Sequence, residues 1–184
     1  MIVAIIQYMF SLKEYKYFSE IKKLDIKKIL PSRDEELFYN ALIKKSSKEI
    51  KVMGVTALRM MQDFASESSP REDKKVLLSA LANGVSVQIL LPQKIFLFSD
   101  EDKIKHDQST EILNKLKDKF DNLEVHYFDH VPTQSIFLVD QNCILGPVFS
   151  NYASKDTPCI YMGVNNEFAR KYLDYFKEEW NKNK

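Results

Sequence analysis

The chain has 184 residues, of which 45% are hydrophobic, with only 4 glycines and 6 prolines. This composition predicts one ordered globular domain and argues against a disordered or linker-rich protein. With 27 basic against 26 acidic residues, the formal net charge is +1, so only a local basic patch could attract nucleic acid or an anionic membrane.

The two cysteines, Cys143 and Cys159, lie in apolar, strand-like segments. We interpret them as buried, reduced thiols of a cytosolic protein. Neither has a Cys or His neighbour at the spacing of a metal site. The sequence therefore predicts a cytoplasmic protein that uses no metal and no cofactor.

The segment Met1–Phe10 is apolar apart from Gln7. It is shorter than the roughly 20 residues that span a bilayer, and it lacks the charged start and the cleavage site of a signal peptide. We interpret it as a core strand or a first helical turn, with a shallow membrane or partner contact as the alternative. A lysine-rich helical pattern follows from residue 11 to residue 29. Residues 1–31 are thus predicted to be a helical appendage to a domain of residues 32–184.

Beyond Pro31, helical and strand-like segments alternate. Ser32 with Glu35 and Ser69 with Glu72 have the spacing of capping boxes, which predicts the start of two helices. The predicted helices comprise residues 32–46, 57–64, 70–83, 109–120 and 166–181. The predicted strands comprise residues 49–56, 85–91, 123–128, 133–139, 143–145 and 159–163.

This order of elements predicts an α/β fold with a mixed, mainly parallel sheet and helices on both faces. The sheet should be parallel at its start and antiparallel at the hairpin formed by residues 133–145. Residues 94–108 show no clear pattern, and His106 within them is interpreted as a solvated loop residue.

The element order and the Asn-Gly-Val-Ser-Val-Gln-Ile-Leu-Leu-Pro run at residues 83–92 resemble a phospholipase D-like domain, the unit of the phospholipase D and metal-independent nuclease superfamily. The resemblance covers residue 32 to the C-terminus. It implies a phospholipase D-like sheet. It also implies a homodimer, because single-domain members of the superfamily pair to complete one site.

The catalytic signature of this family is His-x-Lys, four further residues and Asp, followed later by Gly-Ser-x-Asn. Its histidine attacks phosphorus and its lysine stabilises the phosphate. At the matching positions this chain has Thr133, Ser135 and Asp140, so the nucleophile and the cation are both replaced. Gly146 matches the later motif, whereas Pro147 stands near the place of its serine.

A threonine hydroxyl is a poor nucleophile without an adjacent base. Without the lysine, no fixed positive charge compensates a phosphoryl transition state. We therefore predict a catalytically inactive domain, a pseudoenzyme, that serves as a binding or sensing module.

Thr133 and Ser135 are two residues apart on a strand, so their hydroxyls are expected on the same face. Such hydroxyls can hydrogen-bond a phosphate-containing small molecule or a nucleic acid. A cation for that phosphate, such as Arg59 or Lys94, cannot be placed from the sequence.

His130 is the basis of the alternative function, a metal-independent phosphodiesterase or nuclease with a displaced nucleophile. Its simpler interpretation is an exposed loop histidine, and His126 is interpreted as a structural strand residue. Asp140 is either a residue of the site or a cap of the hairpin turn. The candidate binding residues are thus Thr133, Ser135, His130 and Asp140. A third interpretation is an interaction protein that uses residues 1–30 to contact a membrane or a partner.

Overall fold

The computed structural model describes residues 21–184 continuously, together with residues 7, 11, 14–16, 18 and 19. The described residues between 7 and 23 are helical. Of the apolar segment Met1–Phe10 only Gln7 is described, so the interpretation of that segment lies outside the described residues.

The described residues form a seven-stranded sheet with the strand order β1-β7-β6-β5-β2-β3-β4. Its strands are β1 (Ile26–Leu30), β2 (Glu49–Met53), β3 (Ser86–Pro92), β4 (Leu123–Phe128), β5 (Gln134–Val139), β6 (Asn142–Pro147) and β7 (Cys159–Gly163). Strands β2, β3 and β4 are parallel, and the other neighbouring pairs are antiparallel. The mixed α/β sheet is confirmed, but its parallel part is smaller than predicted. The connections between β5, β6 and β7 are too short for the crossover that parallel neighbours need.

Helices cover both faces of the sheet, as predicted. Four pack against one face, which we call the helix-rich face: α1 (Glu36–Lys44), α2 (Leu58–Phe64), α3 (Val76–Ala82) and α4 (Asp100–Lys117). Helix α5 (Glu167–Lys182) packs alone among them against the other face, the α5 face. Successive residues of β5 face opposite sides of the sheet. Phe137 and Val139 therefore lie in the core of the helix-rich face, and Ile136 and Leu138 lie in the core of the α5 face.

The helix predicted to continue to residue 29 ends earlier, because Ile26–Leu30 is strand β1. It pairs with β7 at the edge of the sheet, with Leu30 buried and Lys27 and Lys28 exposed. The spacing of four between Ile26 and Leu30 fits one face of a helix and one face of a strand equally well. Lysines suit an edge strand with one unpaired side. The domain boundary at residue 31 stays a prediction.

Neither predicted capping box forms. Helix α1 begins after Glu35 without a side-chain cap, and the Ser32 hydroxyl accepts a hydrogen bond from the Asp34 amide instead. The Ser69 hydroxyl likewise accepts from the Arg71 amide, so α3 starts later than predicted. In both cases the serine stabilises a local turn ahead of the helix.

The stretch without a clear pattern is mostly helical. Ser99 caps α4, since its hydroxyl accepts from the Asp102 amide at 3.1 Å, and the helix starts nine residues before the predicted position 109. His106 is therefore buried, with 7% of its surface exposed, and the prediction of a solvated loop histidine is wrong. Its Nε2 lies 3.1 Å from the Pro92 carbonyl oxygen, and its Nδ1 has no hydrogen-bond partner.

Cys143 and Cys159 are both buried and free, as predicted. Burial raises the pKa of the Cys143 thiol to about 12, which keeps it protonated and unreactive near neutral pH. Within the described part of the chain, no helix combines the length and apolar character needed to cross a membrane.

Candidate functional site

Two of the positions that match the family motif, Thr133 and Ser135, lie at the start of β5. Ser135 pairs with Gly146 of β6 and lines a cavity of about 140 Å³ on the helix-rich face. Thr133 precedes β5 and lines another, more open cavity, whose lining includes Phe149 and Tyr152. The structure therefore places the two hydroxyls in different cavities.

The cavity beside Ser135, called here the Arg33 cavity, contains an arginine that the sequence did not indicate. Arg33 lies between β1 and α1 and is only 8% exposed. Its Nη2 donates a hydrogen bond of 2.7 Å to the Pro147 carbonyl oxygen. A Cβ atom on Gly146 would lie 2.5 Å from that Nη2. The missing side chain at residue 146 is therefore what lets the guanidinium lie against β6.

The positive charge of Arg33 has no acidic partner among the described residues. Burial lowers the pKa of its guanidinium, opposed by the neighbouring Tyr39 hydroxyl and Cys159 thiol, and no carboxylate contributes. An arginine nevertheless stays charged in proteins, and buried charges are normally paired. The guanidinium is thus available to an anion that enters the cavity.

The backbone of Arg33 is held from two sides. Its amide donates to the Lys155 carbonyl oxygen at 2.7 Å, and its carbonyl oxygen accepts from Arg59 Nη2 at 3.0 Å. Lys155 and Arg59 also line the cavity. These contacts fix the backbone, and the hydrogen bond to the Pro147 carbonyl oxygen holds the guanidinium, so less conformational entropy is lost when a ligand binds.

Arg59 and Lys94, the two cations that the sequence could not place, lie in different surroundings. Arg59 lines the Arg33 cavity and forms ion pairs with Asp34 at 3.0 Å and Asp63 at 3.3 Å. Its charge is therefore already compensated. Lys94 pairs with Asp107 away from the cavity.

Asp140 has the structural role that the hairpin turn suggested. It adopts a left-handed backbone conformation with φ of 51°, and its carboxylate accepts from the amides of Ser47, Lys48 and Glu49 at 2.9, 2.9 and 3.0 Å. Burial alone would raise the pKa of Asp140, but these hydrogen bonds outweigh it and lower the pKa. Asp140 lies at the end of β5 that is remote from Ser135.

His130, the basis of the displaced-nucleophile alternative, lies in the loop after β4 and contacts helix α5. Its Nε2 is 3.1 Å from Glu179 Oε2, and its Nδ1 is 3.1 Å from the Val131 carbonyl oxygen. The Tyr175 hydroxyl oxygen also lies 3.4 Å from Nε2. Both ring nitrogens therefore already have hydrogen-bonding partners within the protein.

Glu179 is the buried charge of the α5 face, with 4% of its surface exposed. Besides His130, Lys182 Nζ approaches its Oε1 at 2.7 Å. Burial alone would raise the pKa of Glu179, but the hydrogen bonds from Lys182 and His130 outweigh it and lower the pKa. The charge is therefore compensated within the protein, and the cluster connects α5 to the loop after β4.

The other histidine of this face, His126, is structural, as predicted. Its Nδ1 lies 2.7 Å from the Asn183 carbonyl oxygen, and its ring contacts Trp180 edge-on at 4.3 Å. Among the residues described, no three His, Cys, Asp or Glu side chains converge in a way that could hold a metal ion.

No protein-family model and no curated protein matches the chain, whereas solved structures do. One is TrmBL2, described as an archaeal chromatin protein with a novel mode of DNA binding. It is 12% identical over 97% of this chain with a TM-score of 0.57, and the chain spans 62% of the TrmBL2 chain. NucT from Helicobacter pylori is 14% identical over 84% of this chain and 93% of its own, with a TM-score of 0.50. Phosphatidylserine synthase from Haemophilus influenzae Rd KW20 is 14% identical over 84% of this chain and 37% of its own, with a TM-score of 0.51.

NucT and the phosphatidylserine synthase are members of the phospholipase D family. The chain therefore has a phospholipase D-like fold, and the predicted resemblance is confirmed at the level of the fold. Identities of 12% and 14% say nothing about activity, so the function has to be argued from the residues of this chain.

Proposed function

We propose that this protein is a non-hydrolytic phospholipase D-like module that binds a phosphate-containing ligand in the Arg33 cavity. The observation that carries the proposal is the buried guanidinium of Arg33, which lines a cavity together with Ser135 and has no carboxylate partner in the described part of the chain.

Arginine is well suited to this role. Its planar guanidinium carries five N–H donors in a fork that matches two phosphate oxygens. Two of its contacts within the protein are those to the Pro147 carbonyl oxygen and the Cys159 thiol. The hydroxyls of Ser135 and Thr56 line the same cavity and are further donors. Arg33 thus supplies, from a different part of the chain, the positive charge that is missing at Ser135.

The same geometry favours binding without turnover. The described residues that line the Arg33 cavity include no histidine, and a serine hydroxyl without a base is a weak nucleophile. The alternative, a phosphodiesterase or nuclease that uses His130, gains no support, because His130 lies at α5 with both ring nitrogens hydrogen-bonded. A nucleic acid remains one possible source of the phosphate, since TrmBL2 is described as binding DNA.

The test is calorimetric titration with inorganic phosphate. We expect wild-type protein to bind phosphate and Arg33→Met to lose at least about tenfold in affinity, as is typical for a charged hydrogen-bonding partner. Ser135→Ala should lose a smaller factor, about twofold to fivefold. The matched control is Arg170→Met, which removes an exposed arginine on α5 and should leave phosphate binding unchanged.

Arg33→Lys is a second variant in case Arg33→Met folds poorly, because it keeps the charge and loses the fork. Wild-type protein that binds no phosphate, or folded Arg33 variants that bind it as well as wild type, would overturn the proposal. Hydrolysis of a generic phosphodiester with a chelator present should be absent. Chelator-resistant hydrolysis that disappears in His130→Ala would establish the alternative function.

The proposal includes a homodimer, which rests on the family resemblance. Light scattering at micromolar concentration tests it, and a monomer alone would contradict it.

A further inference from the structure

The Arg33 cavity adjoins a larger one. Thr56, Arg59 and Lys155 line both the cavity of about 140 Å³ and a neighbouring cavity of about 450 Å³. The larger cavity lies between the first turns of α4 and the loop formed by residues 148–155. Because the two cavities share these lining residues, we call the pair the trough, with the smaller cavity and the buried cation at its narrow end.

Aromatic side chains line the wide end of this trough. Phe149 and Tyr152 are 45% and 64% exposed, and their ring centroids are 6.2 Å apart. Phe98, 38% exposed, lines the same cavity. Exposed aromatic rings around a polar cavity are typical of surfaces that bind flat, partly apolar groups.

Charges of both signs line the wide end, whereas the one carboxylate that lines the narrow end among the described residues, Asp63, is paired with Arg59 and Lys74. Glu101 and Asp102, in the first turn of α4, line the larger cavity, and Lys105 pairs with Glu101. Because Lys105 compensates Glu101, a second phosphate in this part of the trough would face mainly the carboxylate of Asp102, which disfavours a nucleic-acid strand there. The trough fits a ligand with a single anionic group at one end and an uncharged planar ring at the other.

We propose that the ligand is a nucleoside monophosphate, with its phosphate on Arg33 and Ser135 and its base stacked on Phe149 or Tyr152. This inference rests on the proposed function, because it needs the anion site at Arg33. Stacking of a base on an aromatic side chain adds affinity for any base. The amides of Gln62 and Asn151 also line the larger cavity and can hydrogen-bond the edge of a base.

The experiment compares three titrants on the full chain: adenosine 5′-monophosphate, ribose 5-phosphate and inorganic phosphate. We expect the nucleotide to bind about tenfold or more tightly than ribose 5-phosphate, as one stacked base provides. The double variant Phe149→Ala, Tyr152→Ala should lose this preference and still bind inorganic phosphate. Phe168→Ala is the matched control, since Phe168 is 41% exposed on α5, and it should retain the preference.

The outcomes separate the two proposals. If wild-type protein binds the nucleotide and ribose 5-phosphate with equal affinity while phosphate binding still depends on Arg33, the nucleotide proposal is overturned. The proposal of an anion site at Arg33 then stands. Protein that binds none of the three titrants overturns both. A separate titration uses a single-stranded oligonucleotide. If it binds more tightly than the monophosphate, the ligand is a nucleic-acid strand and the proposal of a single nucleotide is overturned. The single variants Phe149→Ala and Tyr152→Ala repeat the test if the double variant does not fold.

Discussion

Among the described residues, each face of the sheet contains one deeply buried charged side chain, and the two differ in whether an opposite charge compensates them. On the α5 face, Glu179 is approached by His130 and Lys182 at 3.1 and 2.7 Å. On the helix-rich face, Arg33 is also buried, 8% exposed against 4% for Glu179, yet no carboxylate of the described residues acts on its pKa. A charge compensated within the protein stabilises the fold, whereas an uncompensated one that lines a cavity is costly to keep and marks a binding site.

The largest effect should come from filling the space in which the Arg33 guanidinium lies. The Cβ of Gly146→Ala would lie 2.5 Å from Arg33 Nη2 and 2.5 Å from the Pro158 carbonyl oxygen. We expect a loss of about 2–3 kcal/mol in the free energy of unfolding, as for other overpacked sites, together with loss of phosphate binding. Urea denaturation measures the first and calorimetry the second.

Gly54→Ala is the control for this experiment, because Gly54 lines the same cavity and a Cβ there would meet nothing within 4 Å. Its unfolding free energy should change by no more than about 0.5 kcal/mol. Equal effects at the two glycines would mean that Arg33 does not pack against β6.

Removing the compensated charge should have an intermediate effect. We expect Glu179→Gln to lose about 1–2 kcal/mol at pH 7, since it gives up charged hydrogen bonds whose cations are partly solvated. The pKa of Glu179 is lowered in the folded protein, so its contribution is present above the ordinary carboxyl pKa and is lost as the pH falls through the folded value. Urea denaturation at pH 7 and at pH 3 should show the difference from wild type shrinking in acid.

The neighbouring Glu178 provides the matched control, because it is exposed on the same helix. Glu178→Gln should leave stability nearly unchanged at both pH values. If Glu178→Gln lost as much stability as Glu179→Gln, the effect would come from the net charge of α5 and not from the contacts of Glu179 with His130 and Lys182.

Arg33→Met should change stability least of the three, by less than about 1 kcal/mol in either direction. It loses the hydrogen bond to the Pro147 carbonyl oxygen but removes a buried charge whose desolvation is not compensated. Thermal and urea denaturation in phosphate-free buffer measure it. If Arg33→Met lost more unfolding free energy than Glu179→Gln, Arg33 would be a structural residue. The two buried charges would then not differ in their contribution to stability as proposed.

The smallest expected effect concerns His106, a further buried titratable group, whose Nδ1 has no hydrogen-bond partner in the described part of the chain. Burial lowers the pKa of His106, against a smaller opposing effect of its hydrogen bond to Pro92. The unfolded chain therefore binds a proton first, and stability falls as the pH drops from about 6.5 through the folded value. In His106→Asn, unfolding free energies at pH 7.5 and pH 5 should lie closer together than in wild type. An unchanged pH dependence would contradict this.

Much of the framework follows from local sequence patterns. The predicted ranges 123–128 and 159–163 coincide with β4 and β7, because each combines a dense apolar run with clear turn residues on its flanks. The residues of strand β1 were predicted as helix because the spacing of Ile26 and Leu30 fits the periodicity of a helix and of a strand. Only the pairing with β7 selects the strand. His106 was predicted as solvated because the many charged residues around it in the sequence obscure which side of α4 is buried.

The site was less accessible to sequence reasoning than the fold. The position of Ser135 follows from the period of β5, but Arg33 reaches the same cavity from the loop before α1. The only sequence signal for the role of Arg33 is the scarcity of arginine. The 27 basic residues include four arginines, which are Arg33, Arg59, Arg71 and Arg170. Two of the four meet at this cavity, and that convergence depends on tertiary structure.

The hydrogen bonds of Asp140 have a consequence for how the sheet assembles. They join a turn to the amides of Ser47, Lys48 and Glu49, which lie 93, 92 and 91 positions away in sequence. Closing so long a loop is entropically unfavourable and slows folding. We therefore expect these three amides to become protected from hydrogen exchange late in refolding, when the β5–β6 hairpin docks onto the parallel strands.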